Sequence, residues 1–158
     1  MKFICWMVSL LPAVTLLGCT ATAPKEAPTV ITSENIAKLL YNRQWELKSI
    51  STEGSQPLMD MQATMTLAFG ADGKATGYGS VNRFTGAYSL APNGQLTWPG
   101  PGFATTRKAG PPELMEKERA YLEALRKTER AILYKHSLQL QAEGESTLLV
   151  FHEAGFPE

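Results

Sequence analysis

From residue 44 onward, apolar and polar side chains trade places with a period of two. Gln44 to Ser49 sets Trp45 and Leu47 against Glu46 and Lys48, the signature of a half-buried strand. Ala63 to Phe69 repeats the pattern, with Met65, Leu67 and Phe69 on one face and Thr64, Thr66 and Ala68 on the other. Gly70-Ala71-Asp72-Gly73 reads as a tight turn returning the chain through Lys74 to Gly79. Asn82 to Leu90 is a further strand, Pro92-Asn93-Gly94 a turn, and Gln95 to Trp98 the strand after it. Pro99-Gly100-Pro101-Gly102 and Pro111-Pro112 interrupt the alternation. Between Glu113 and Thr128 the period lengthens to that of a helix, with a stripe of Leu114, Met115, Tyr121, Leu122 and Leu125 and with Ala120 and Ala124 alongside. The many Glu residues of 113–130 read as a solvated face, and Glu113–Lys117 and Glu123–Lys127 as i, i+4 pairs. Period two resumes in three closing strands, Ala131 to Lys135, Leu138 to Ala142 and Thr147 to His152. The pattern predicts one two-layer α+β domain, mostly antiparallel sheet covering one main helix.

The chain before residue 44 reads differently. Lys2 precedes an apolar run from Phe3 to Leu17, shorter than the roughly 20 residues a membrane-spanning helix needs. Such a run fits the core of a signal peptide, residues 1–18. Its end, Leu16-Leu17-Gly18-Cys19, resembles the bacterial lipoprotein signal. That resemblance implies acyl chains (palmitate-type) on Cys19, which would become the first residue of the mature protein. Thr20, in place of Asp, implies sorting to the outer membrane, facing the periplasm. Residues 19–31, rich in Ala, Thr and Pro, read as an acylated, flexible or extended tether. Residues 32–158 form the domain, opening with Thr32 or Ser33 as the N-cap of a short helix through Ile36, Leu39 and Leu40.

Composition narrows the functional classes. The 158 residues suit one domain, and 44% hydrophobic content supplies a core. Fifteen basic against fifteen acidic side chains leave no excess to hold a nucleic acid electrostatically. Of the two cysteines, Cys5 lies in the expected signal and Cys19 is the lipidation site that the resemblance implies, so no disulfide is expected to staple the domain.

One set of ordered fragments resembles the META domain, a family that includes the HslJ-type heat-shock lipoproteins of bacterial envelopes. The fragments are Gly79-Ser80-Val81-Asn82-Arg83-Phe84-Thr85-Gly86-Ala87-Tyr88, then Ala104-Thr105-Thr106-Arg107, framed by Trp45-x-Leu47, Leu67-x-Phe69 with Asp72-Gly73, and Glu118-x-x-Tyr121-Leu122-x-x-Leu125. The resemblance implies a compact antiparallel, barrel-like sheet with a helix, reminiscent of the lipoprotein pilots of secretins. It also implies an envelope role tied to stress or secretion. Where the family commonly carries two cysteines, this chain has Val81 and, approximately, Gly110, which excludes a thiol-based role.

Candidate chemistry centres on polar residues of those fragments. Asn82, Arg83 and Gly86, with Thr106 and Arg107, could form a two-arginine fork for carboxylate or phosphate groups. Alternatively, Asn82 bonds strand-end backbone, Gly86 permits a bulge and the arginines brace a loop. Met59, Met61 and Met65 have thioether spacing suited to Cu(I), but Met65 falls on the inward face. His136 and His152 lack companion ligands for zinc, so no metal or other cofactor is expected. No nucleophile–base signature and no phosphate-cradling glycine loop opening a helix is present, so the protein is expected not to be an enzyme. Trp45, Phe69, Phe84, Trp98, Phe103 and Phe151 either fill the interior or enclose a lipid-sized cavity. The expected function is non-catalytic: an outer-membrane lipoprotein, attached to the membrane, that binds an envelope protein or lipid. The alternative is a pilot-like chaperone carrying a lipid or secretin tail in its barrel.

Overall fold

A computed structural model describes residues 27–53 and 64–155. In chain order the elements are β1 (Thr29–Val30), α1 (Ile36–Leu39), β2 (Trp45–Thr52), β3 (Thr66–Phe69), β4 (Lys74–Tyr78), β5 (Arg83–Ala87), β6 (Ser89–Leu90), β7 (Leu96–Thr97), β8 (Ala104–Thr105), α2 (Pro112–Arg126), β9 (Arg130–Tyr134), β10 (Ser137–Gln141), a 3₁₀ turn (Glu143–Glu145) and β11 (Thr147–Glu153). Nine strands form one sheet in the order β1-β9-β10-β11-β2-β3-β4-β5-β8, and β6 pairs with β7 separately. Every ladder in the large sheet is antiparallel.

Alternation translates directly into burial. Leu47 and Ile50 of β2, Ala131 and Leu133 of β9, Leu138 and Leu140 of β10, and Leu149 and Phe151 of β11 all face one core. From the other half of the sheet, Leu67, Phe69, Ala75 and Phe84 join them, and α2 closes the core with Tyr121, Ala124 and Leu125. Pro112 occupies the first turn of α2, where its missing N–H costs nothing. At the other end the Thr128 hydroxyl donates to the Leu125 carbonyl, and the Trp98 indole donates to Thr128.

Several expectations need correction. The sheet is not a closed barrel. Its terminal strands, β1 and β8, are two residues each and, among the described residues, pair on one side only, with β9 and β5. The strand expected from Asn82 to Leu90 is two strands in two sheets, because Tyr88 turns inward. Its phenol donates to the Gly70 carbonyl and its N–H to Gly73, which bends the chain between β5 and β6.

The signal 1–18 and most of the tether lie outside the described residues. Of the tether's last residues, Thr29 and Val30 pair with Leu133 and Ile132, and Ile31 is fully buried. The folded body therefore begins before residue 32. Helix α1 follows Asn35, not Thr32 or Ser33, although Thr32 still organises the turn: its N–H donates to Asn35 Oδ1 and its hydroxyl accepts from Glu34. On α2, Met115 is exposed. Glu123 pairs with Lys127 as expected, whereas Arg119 pairs with Glu116 and Glu123 and, among the described residues, Glu113 and Lys117 do not pair.

A candidate functional site around Glu118 and Arg83

One acid of α2 is not solvated. Glu118 is 6% exposed and sits between Leu114 and Tyr121 on the inward stripe. Its carboxylate is wrapped by the turn joining β4 to β5. Oε2 accepts from the backbone N–H groups of Val81 (3.0 Å) and Asn82 (2.6 Å), and Oε1 accepts from Asn82 Nδ2 (2.8 Å). Gly79 makes the approach possible, because a Cβ there would lie 2.8 Å from Glu118 Cγ. The neighbouring Ser80 holds a left-handed φ of 100°, which costs a non-glycine residue energy, while its hydroxyl donates to the Leu114 carbonyl at 2.8 Å. A buried carboxylate receiving several donors is the arrangement that low-dielectric burial demands.

Asn82 carries this clamp across to the next loop. Its Oδ1 accepts from the Thr106 hydroxyl (2.9 Å) and the Lys108 N–H (2.8 Å). The Arg83 N–H in turn donates to Thr106 Oγ1 at 3.2 Å. Asn82 and Thr106 are thus occupied with positioning the turn and the 104–108 loop. Gly86 does not form a bulge, since β4 and β5 pair without a register shift. Its missing side chain seats Phe103, whose ring carbon would be 2.4 Å from a Cβ.

Arg83 is left exposed beside a groove of about 800 Å³ on the outer face of β3, β4, β5 and β8. Thr76, Tyr78, Thr85 and Lys108 also line it. Of the residues singled out from sequence, the structure brings Asn82, Arg83 and Thr106 together. Arg107 is exposed but outside the groove lining, and the second cation there is Lys108. Neither Arg83 nor Lys108 has a carboxylate partner among the described residues.

Glu118 was legible only in part. A charged residue four positions after Leu114 and three before Tyr121 falls on the apolar stripe, and that placement is the signal that separates it from its solvated neighbours. Lys108 carried no such signal, because its position depends on a backbone contact with Asn82.

Val81 and Gly110, the positions at which the resemblance places, the second approximately, the family's two cysteines, lie side by side. A Cβ on Gly110 would lie 3.4 Å from Val81 Cβ and 2.8 Å from both its methyls. Elsewhere, Met65 is 1% exposed and belongs to the core, while Met59 and Met61 lie outside the described residues. His136 Nδ1 faces Glu153 Oε2 at 3.2 Å, and Arg43 reaches the same oxygen at 2.9 Å. Among the described residues no cluster of three or more His, Cys, Asp or Glu could hold a metal. Burial raises the Tyr121 phenol above its ordinary range, and burial with the adjoining Tyr41 hydroxyl does the same to Tyr88. The exposed Glu116 carboxyl is lowered by its hydrogen bond from Arg119.

Known proteins resemble this chain at two levels. By fold, it is similar to a protein from Burkholderia xenovorans solved by NMR, with a TM-score of 0.61 and 23% identity over 94% of this chain and 100% of that one. It is also similar to a DUF4847 family protein from Bacteroides vulgatus, with a TM-score of 0.55 and 14% identity over 74% of this chain and 96% of that one. No curated protein matches. The META domain family model matches residues 37–155, a span that contains the Glu118 clamp, the groove and both halves of the sheet, and the chain belongs to the META domain family.

Proposed function

We propose that this protein is a non-catalytic envelope lipoprotein. Acyl chains on Cys19 hold it at the periplasmic face of the outer membrane, and its META domain binds an envelope component through the surface around Arg83 during stress or assembly. The observation that carries the binding reading is the division of labour at the β4–β5 turn. Glu118, Asn82 and Thr106 spend their polar groups on one another, while the adjacent Arg83 and Lys108 face a groove without a counter-charge among the described residues.

The interior favours a surface site over the carrier alternative. Trp45, Leu67, Tyr121, Leu138, Leu140, Leu149 and Phe151 are fully buried in one cluster, and Trp98 and Phe103 pack against it. Ring contacts join Phe84 to Phe103 and Tyr121, and Tyr121 to Phe151. Cys19 in a Leu-Leu-Gly-Cys sequence supports anchoring, which takes more than one acyl chain to be stable.

Mass spectrometry of the full chain expressed in a Gram-negative host tests the anchor. A mature species beginning at a thioether-acylated Cys19, lost from the membrane fraction on Cys19→Ala, is expected. An unmodified, freely soluble amino terminus overturns it.

A further inference from the structure

The groove beside Arg83 has a composition that specifies more than a charge. It lies on the outer face of the sheet, where cross-strand register sets Thr76 opposite Thr85 and Tyr78 opposite Arg83. The row continues from Ala68, opposite Thr76, to Ala104, opposite Thr85. Four neighbouring strands span about 14 Å at the usual strand spacing. Thr66, 6% exposed, closes the floor, its Oγ1 accepting from the Tyr78 N–H at 3.1 Å.

Two cations, threonine hydroxyls, the Gln44 amide and a phenol exposed by 37% therefore share one surface. Among the described residues no Asp or Glu is in the lining; Glu46, opposite Thr66, sits one strand beyond it.

Resting on the surface-binding reading above, we infer that this groove takes an oligosaccharide bearing carboxylates. Ring hydroxyls find paired donors and acceptors on Thr76 and Thr85. Tyr78 offers a ring to a sugar face, and Arg83 with Lys108 meets the carboxylate. A guanidinium can hold that group with two parallel hydrogen bonds. Competing occupants fit less well. An extended peptide that adds to a sheet uses a free strand edge, whereas these groups project from the face. A lipid chain needs apolar depth, and the lining carries hydroxyls and charges where acyl carbons would lie.

Titration of the isotope-labelled, full-length mature chain in detergent with tetragalacturonate tests this by NMR. The per-methyl-ester of the same sugar, tetraglutamate and inorganic phosphate serve as comparison probes. Shifts are expected at Thr76, Tyr78, Arg83 and Thr85, with binding roughly tenfold weaker in Arg83→Ala and in Tyr78→Ala, and unchanged in Arg107→Ala. Equal binding of the methyl ester overturns the role of charge. Equal binding of tetraglutamate or phosphate overturns the sugar, leaving a general anion site. The absence of groove shifts with tetragalacturonate overturns the proposal. Because acylation of Cys19 is read by mass alone, loss of the sugar reading and loss of the anchor are separable.

Discussion

The two halves of the sheet are held in different ways. In β9, β10, β11 and β2 the ladders are five to seven residue pairs long and interrupted by one register shift at Val150/Phe151. Their inward residues are aliphatic or aromatic apart from Thr147 of β11, so apolar burial is what mainly organises them. In β3, β4, β5 and β8 the ladders are two to five residue pairs long, Gly77 and Gly86 contribute no side chain, and the connecting loops converge on one buried carboxylate. Phe84 and Phe103 take the space those glycines leave, and the polar groups of the loops are matched donor to acceptor. That matching fixes Arg83 and Lys108 at their backbones and leaves their tips without a carboxylate partner among the described residues, so the candidate site sits in the half with the polar clamp.

Four measurements sharpen this contrast. Phe151→Ala opens a void in the aliphatic half and is expected to cost about 3–5 kcal/mol in urea denaturation, with Phe151→Leu recovering most of it. A cost under about 1 kcal/mol would mean that the site collapses around the loss. Glu118→Ala strands the Val81 and Asn82 donors and is expected to cost about 3 kcal/mol. Hydrogen exchange should then quicken at Val81, Asn82 and Lys108 while β9–β11 keep their protection. Glu118→Gln, which sets an amide NH₂ against those donors, should rescue only in part. Uniform loss of protection would show that the two halves are one cooperative unit.

The Val81→Cys/Gly110→Cys pair should oxidise spontaneously, since the 3.4 Å Cβ separation is close to that of a disulfide. The bridge would close a loop of about 30 residues and add about 2–3 kcal/mol. Free thiols after air oxidation would show that the 104–112 loop is held elsewhere. The smallest effect is alkaline. Tyr121 and Tyr88 are raised in the folded state, so the unfolded chain ionises first. Stability is complete below the unfolded tyrosine pKa of about 10 and falls as pH rises past it. The fully buried Tyr121 contributes a slope of about 1.4 kcal/mol per pH unit. Tyr121→Phe should flatten that decline, and an unchanged slope would remove Tyr121 from it.

What was legible follows the same division. Periodicity located β2, β3, β4 and β9 to β11 to within a few residues, because Trp45, Leu67, Leu138 and Phe151 are buried for the reason that their spacing announces. It joined β5 to β6, because Tyr88 looks like one more strand residue until its phenol is seen to reach Gly70. The sequence also singled out Asn82, Arg83 and Thr106, but not their centre. Glu118 lies 36 residues from Asn82, and a long-range hydrogen bond leaves no local period. Barrel closure failed for a similar reason: it depends on whether two distant edges meet, and the short β1 and β8 do not.

Those abbreviated borders have a use of their own. A fringe of only two residues at either side gives a neighbouring copy almost no ladder to extend, and stacking across it would stop after a pair of bonds. Crowded copies of a β-rich body would run the risk of zipping into fibres, and this one is trimmed so that crowding need not become polymerisation.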